Sequence, residues 1–377
     1  MEPSSRRSRR SMNRTEERKA DHLRICLEED VEARNITTGF EDINLIHRAL
    51  PEVNRDEIDL TTSLFNHKFS APIIVEGMTG GTARALKINA SIAEAVEDLG
   101  LGMGVGSQRA AIEDPTLEDT FKIARDKAPR AFLMANLGGP QLLRRDYVKL
   151  AERIIDMIEA DALTIHLNPL QEAVQPEGET NYKGVLERIT KIVEAVDIPV
   201  IVKETGAGIA AEEAKMLERA GVSAIDVAGA GGTSWAAVEY HRAKKRGNHL
   251  AESLGRTLWD WGIPTAISLI EVVESVDIPV IASGGIRSGK DVAKALALGA
   301  SLVGFASPIL SPALEGPESV KSYLNLMITH LRNVMFLVGA SSIENLRYVP
   351  LVITGRTAEW LRVRGFNPES YAKRRIE

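Results

Sequence analysis

From Ala71 onward the chain repeats one pattern. A run of four to six apolar, often β-branched residues ends in glycine or polar residues, and a longer stretch with apolar positions at helical spacing follows. The runs are "APIIVEGMTGG", "GLGMGVGSQR", "AFLMANLGGP", "DALTIHLNPLQE", "IPVIVKETGAG", "AIDVAGAGGTS", "IPVIASGGIRSG" and "SLVGFASP". They are apolar on both faces, as parallel strands buried between two layers are. Between them lie amphipathic segments such as "ALKINASIAEAVEDL" and "GVLERITKIVEAV", predicted as helices. Two junctions, "EAVDIPVIVKETG" and "ESVDIPVIASGGI", are nearly the same words, which points to a repeated β/α unit. Eight alternations predict an α/β fold, a single (β/α)8 TIM barrel, whose core takes about 250 residues. It is flanked by an N-terminal extension to about residue 65 and a C-terminal helical extension after about residue 310. A doubly wound sheet would need a dinucleotide fingerprint after the first strand, and "EGMTGGTARA" does not supply one.

Barrel chemistry sits on the loops after the strands' carboxyl ends. Thr79, Ser107, Gln108, Arg109, Asn136, His166, Asn168, Gln171, Glu172, Lys203, Glu204, Thr233, Ser234, Ser283 and Arg287 all fall at or just past such ends. Polar residues scattered at random would not collect on one rim. Gly102, Gly104 and Gly106 alternate on one face of the second strand. They leave room either for a flat ligand near the backbone or for bulky neighbours inside the barrel. "GGIRSGKD" has Asp291 where a P-loop needs Ser or Thr, so Gly284, Gly285 and Arg287 are read as an anchor for a monophosphate. Lys203 on its apolar strand fits a Schiff-base nucleophile, a phosphate partner or a cation beside a flavin. In "HLNPLQEAVQPEGE", Glu172 next to Gln171 suits Mg2+ arriving with a diphosphate and not zinc. A plain helix-capping role for Glu172 is the alternative.

Composition narrows this further. The 377 residues are 44% hydrophobic and 26% charged, with a net charge of −6, which argues against nucleic acid or an anionic membrane as the partner. No apolar run approaches the roughly 20 residues a bilayer span needs. One cysteine, Cys26, cannot form an internal disulfide and fits a reducing, cytoplasmic setting. Residues 1–17, with Arg6, Arg7, Arg9 and Arg10 among serines, are expected to be a disordered basic leader ahead of one domain over residues 18–377.

"RKADH", "GMTGG", "MGVGSQRAAIE", "ANLGGPQL", "HLNPLQEAVQPEGE", "VKETGAGI", "GAGGTSW" and "SGGIRSG" follow one another in an order that resembles the type 2, flavin-dependent isopentenyl-diphosphate isomerases over nearly the whole chain. The resemblance implies a barrel interconverting isopentenyl and dimethylallyl diphosphate, with FMN, Mg2+, and NADPH as the flavin's reductant. FMN contacts are implied at Gly77, Met78, Thr79, Ser107, Asn136, Lys203, Thr233, Gly285, Ile286, Arg287, Ala306 and Ser307. The diphosphate substrate is implied at Arg18, Lys19, Ser107, Gln108, Arg109 and Gln171, with Glu172 on the metal. Gln171, His166 and Lys203 are implied as catalytic, with Asn168 in the same pocket. The N-terminal basic segment is implied to close over the barrel mouth, and subunits to assemble as a homo-oligomer of four or more. Two positions depart from the pattern: Glu76 stands where a small or hydroxylic residue is usual beside the flavin, and Ala228 where Ser or Thr is common.

Two other readings compete. An FMN-dependent oxidoreductase of a small hydroxy acid or nucleotide would share the barrel and phosphate anchor but would need a base, and it leaves Glu172 beside Gln171 unexplained. A non-catalytic flavin- or phosphate-binding barrel would not require the ring of Arg18, Lys19, Arg109, Gln171 and Glu172.

Overall fold

The computed structural model describes residues 14–375. The eight apolar runs form β1 (Ile73–Val75), β2 (Gly102–Gly104), β3 (Phe132–Gly138), β4 (Ala162–His166), β5 (Val200–Lys203), β6 (Ala224–Asp226), β7 (Val280–Ala282) and β8 (Leu302–Phe305). They pair in parallel in chain order, and β8 returns to β1 through Val303–Ile73, Gly304–Ile74 and Phe305–Val75, closing the barrel. Closure removes every unpaired strand edge, and a surrounding layer of helices covers the outward-facing residues, as a parallel sheet requires. The barrel and its helical layer expected from the sequence are both present.

Inside the barrel, Ile74, Phe132, Met134, Ala162, Ile201, Ala224, Ile281 and Leu302 make a core of their own. A hairpin of the N-terminal extension, Thr62–Leu64 and His67–Phe69, plugs its lower end. Leu64, Phe65 and Phe69 join that core, and Phe69 meets Phe132 edge to face at 5.5 Å between ring centres. The plug decides what the β2 glycines are for. A Cβ at Gly102 would stand 3.0 Å from the Phe69 ring, one at Gly104 3.1 Å from Gly77 N, and one at Gly106 2.4 Å from Thr79 N. The room the glycines leave is therefore filled by the plug and by the backbone of the β1 loop, and none of the three lines the cavity above. The flat-ligand reading of this face is corrected accordingly.

The expected leader lies outside the described residues up to residue 13, and its last four residues already belong to a helix. This helix, α1 (Arg14–Glu28), carries Glu16 and Glu17 in its first turn, where they favour the helix dipole. It lays Leu23 and Ile25 inward. It lies over the barrel mouth: Thr15 Oγ1 donates to Glu113 at 2.6 Å, Lys19 Nζ donates to the Ser107 carbonyl at 2.5 Å, and His22 Nε2 meets Glu239 at 2.6 Å. The chain then runs along the β6 loop (Ala33 N–H to Gly232 O, Ser234 N–H to Val31 O). Strand Ile43–Leu45 pairs antiparallel with Leu351–Ile353 of the C-terminal extension. Among the described residues, no helix is long and apolar enough to cross a membrane.

Phe69 is fully buried and touches only the plug and barrel interior, so Phe69→Ala should cost about 3–5 kcal/mol of stability. Urea unfolding with an unchanged slope would register it; a loss under about 1 kcal/mol would mean the barrel floor collapses to refill the space.

Candidate active site

The large cavity of the molecule opens between the strands' carboxyl ends and α1. The β-strand register sets its floor. Gly138, His166, Lys203 and Asp226 are successive partners across β3, β4, β5 and β6, so one tier holds a bare backbone, a ring, an ammonium and a carboxylate. Lys203 Nζ lies 3.0 Å from Asp226 Oδ2 and 3.4 Å from Glu76 Oε2, and donates to Glu204 O at 2.9 Å. Burial opposes its charge, but Asp226 and Glu76 outweigh burial and hold the ammonium pKa above the usual lysine range. Lys203 is thus a permanent cation, not the neutral amine a Schiff-base nucleophile requires. Burial first, then the charge of Asp226, push the Glu76 carboxyl up to about 8.

His166 Nδ1 is 2.7 Å from Asn136 Oδ1, which fixes Nδ1 as the donor and leaves the Nε2 lone pair free. Burial, with the charges of Lys203 and Lys19, pushes its pKa down to about 3. The imidazole is neutral and only weakly basic near neutral pH.

After β4 the chain enters a short helix, α2 (Pro169–Val174), with Pro169 at its first position. Glu172 is buried in its first turn, where Oε1 accepts from Asn168 Nδ2 at 3.1 Å and Oε2 from Glu179 N–H at 2.6 Å. Glu172 therefore does hold its loop together, and it also faces the cavity beside Gln171, whose Oε1 accepts from the same Asn168 amide at 3.0 Å. Among the described residues no group of three or more His, Cys, Asp or Glu side chains could cage a metal. A single buried carboxylate fits a cation that brings other oxygen ligands with it.

The mouth is cationic. Arg18, Lys19 and Arg109 all line it. Arg109 is held by Glu113 at 2.8 Å and Glu179 at 3.1 Å. Among the described residues, Lys19 Nζ has the Ser107 carbonyl as its hydrogen-bond partner and stands 5.1 Å over the Phe121 ring. Burial, then the charge of Arg18, push its pKa down to about 7. Across the cavity, Gly284 and Gly285 turn the β7 loop with φ of 98° and 68°, and a short helix begins at Ser307 after β8. Arg287 here pairs with Glu32 at 2.8 and 3.0 Å, a carboxylate that a phosphate would have to displace.

Of the residues expected to form the site, Gln171, His166, Lys203, Arg18, Lys19, Ser107, Arg109, Gly77, Met78, Thr79, Asn136, Thr233, Gly285, Ile286, Arg287, Ala306, Ser307 and Glu172 all line this cavity. Gln108 does not. It is wholly buried, donating to Ile154 O and accepting from Asn136 N–H, both at 2.9 Å, and so it braces Asn136 instead of reaching a ligand. The residue turns inward because it opens the helix Arg109–Glu113, while its neighbours on both sides face the cavity. Sequence reasoning missed Asp226, although an acid inside the apolar "AIDV" was a visible signal. It also missed Glu239, fully buried on α3 (Trp235–Lys245), which receives His22 and Arg242. Nothing in the pattern of α3 marks that glutamate out.

The curated relatives are similar over almost their whole length. An isopentenyl-diphosphate delta-isomerase of Methanosarcina acetivorans is 52% identical, covering 96% of this chain and 98% of its own. That of Methanothermobacter thermautotrophicus is 52% identical over 95% and 99%. The chain belongs to the isopentenyl-diphosphate delta-isomerase family. That of Pyrococcus furiosus, at 50% identity over 97% and 93%, extends the likeness to a third genus. Residues 166–351 also match the model of the FMN-dependent dehydrogenases, which marks this family member as the flavin-dependent kind. Among solved structures, a mandelate oxidase with an FMN adduct superimposes with a TM-score of 0.60 at 21% identity, covering 84% of this chain and 90% of its own. A lactate oxidase of Pediococcus acidilactici superimposes at 0.61 and 19% identity, covering 86% and 88%. At such identities these two establish the barrel and nothing finer.

Because Lys19 titrates near pH 7 when its cavity is empty of anion, a diphosphate beside it should raise its pKa. Binding should then take up close to one proton above about pH 7, where the free amine is neutral, and none well below, where it is already charged. Calorimetry of inorganic diphosphate in buffers of differing ionisation enthalpy measures this. Uptake that persists in Lys19→Met would assign the proton elsewhere.

Proposed function

We propose that this chain interconverts isopentenyl and dimethylallyl diphosphate, with FMN lying on the barrel floor and Mg2+ held to the diphosphate by Glu172. The observation that carries this reading is the pair of anion seats at opposite sides of one cavity. Gly285, Arg287 and Ser307 at the ends of β7 and β8 are suited to a cofactor monophosphate. Arg18, Lys19, Arg109 and Glu172 across the mouth are suited to a diphosphate with its cation. Glycine-turned backbone with one arginine matches the first, and a lone carboxylate beside three cations matches the second.

Protonating an unactivated alkene demands a strong acid, and the side chains here do not offer one: His166 is neutral and Lys203 keeps its proton. Reduced FMN, when bound, would supply the proton donor and acceptor at that carbon framework. The protein's part is positional and electrostatic. Lys203, fixed by Asp226 and Glu76, would set a positive charge against the ring. Asn136, braced by Gln108, would hold His166 in one tautomer at the cavity wall. Gln171 and Asn168 would orient the substrate over the floor. Arg18 and Lys19 reach the mouth from α1, so the groups that bind the diphosphate would also keep water from developing cation character on the alkene. The reaction has no net redox change, and NADPH would serve only to keep the flavin reduced.

The hydroxy-acid oxidoreductase reading shares the fold but needs a base to take the substrate's proton. A histidine held at a pKa of about 3 is a poor one.

The test is an anaerobic assay of the purified chain with isopentenyl diphosphate, Mg2+, FMN and NADPH, following dimethylallyl diphosphate. Product should form without stoichiometric NADPH consumption, and Glu172→Gln should lower kcat/KM by roughly 100-fold, with part of the loss recovered at high Mg2+. Bound flavin with no product would sink the substrate assignment and send the search to hydroxy acids.

A further inference from the structure

The floor cluster contains one cation and two carboxylates out of water, and its parts are not equivalent. Asp226 is fully provided for: Oδ1 accepts from Ser283 Oγ at 2.7 Å and from Ala228 N–H at 3.2 Å, while Oδ2 faces Lys203. Glu76 is not. Its Oε2 shares Lys203 at the longer distance of 3.4 Å, and its Oε1 is buried with no hydrogen-bond partner. A bare buried oxygen is costly on a carboxylate and much less so on a neutral carboxyl. The carboxyl lies across β8 at its bare residue, where a Cβ on Gly304 would come within 2.2 Å of Oε1.

We propose that Glu76 is a positioning residue that stores an exchangeable proton beneath the cavity, and that this proton regulates how much of the Lys203 charge reaches a flavin lying there. The proposal rests on the flavin assignment above and not on the identity of the substrate.

Of the other groups near Glu76, one more titrates in this range: burial raises the Glu204 carboxyl to about 7. Asp226 on β6 is held by the bonds just named, and Lys203 on β5 keeps its proton. The Glu204 carboxylate is turned away, accepting from the N–H groups of Thr205, Gly206 and Ala207 at 2.5–2.6 Å. His166 on β4 is neutral, β7 offers the Ser283 hydroxyl, and β8 offers no side chain. Below about pH 8 the Glu76 carboxyl is protonated and neutral. Above that pH it carries one negative charge.

A flavin that takes two electrons and one proton becomes an anion and would raise the affinity of Glu76 for a proton. Between the two affinities of Glu76, with oxidised and with reduced flavin, reduction therefore takes a second proton from solvent. That proton ends on the Glu76 carboxylate.

The measurement is the FMN midpoint potential of reconstituted protein, titrated with dithionite from about pH 6 to about pH 10. Wild type should change from one proton per two electrons to two as pH rises through about 8. Glu76→Gln, permanently neutral, should keep one proton throughout and hold a more positive potential than wild type above that pH. Glu76→Asp should restore the change of slope. Gly304→Ala, which crowds Oε1, should move the pH at which it occurs and serves if Glu76→Gln fails to fold. Equal slopes in wild type and a folded Glu76→Gln would overturn the proposal. Infrared titration of the flavin-free protein, taken as the difference between wild type and Glu76→Gln, separates the Glu76 carboxyl band from that of Glu204, itself raised to about 7. If the Glu76 band ionises near pH 8 but no flavin binds, the flavin assignment has failed and not the proton on Glu76. If Glu76 is already ionised at pH 6, the proposal is wrong whatever the cavity holds.

Discussion

Parallel pairing around a closed ring forces every strand to end on the same rim, and the register then dictates which side chains share a level. Here it sets His166, Lys203 and Asp226 side by side, with the Phe69 plug and an apolar core sealing the space beneath. With no water below, each charge on that level has to be answered by another on the same level or by backbone groups. The ammonium of Lys203, two carboxylates, a neutral imidazole and the amide nest around Glu204 are the answer this sequence makes. Shift one strand by a single residue and the alternation of faces would send these groups into the helical layer.

Two lysines in the same cavity show how far local partners decide behaviour. Lys203 is the more deeply buried of the two, yet it is held charged, while Lys19 is pushed down to about 7. The difference lies in company: two carboxylates against one carbonyl with an arginine nearby. The first is a fixed part of the floor. The second is responsive, because the anion that would complete it arrives from outside.

Much of this was legible in advance. Strands buried on both faces read as continuous apolar runs, so all eight barrel strands could be located from the sequence, and polar residues past their ends marked the rim. The direction of individual side chains was harder. Ser107, Gln108 and Arg109 are neighbours in one motif, but the start of a helix turns the middle one into the core. The β2 glycines suggested space for a ligand; what occupies it comes from Phe69, over thirty positions earlier, a pairing no local pattern encodes. Asp226 and Glu76 were each visible as acids in apolar runs. Their meeting on Lys203 follows only from the register across strands far apart in the chain.

The strand Ile43–Leu45, which roots the segment leading from α1, finds its partner at Leu351–Ile353, near the opposite end of the chain. During synthesis the barrel strands are all available once Phe305 has emerged, while this one mooring of the cover has yet to be made. Contacts of such long sequence separation form late. Proteolytic trimming of the last few dozen residues would therefore free the segment behind α1 at its root, while the bonds of α1 to Glu113, Ser107 and Glu239 keep the cover on the mouth.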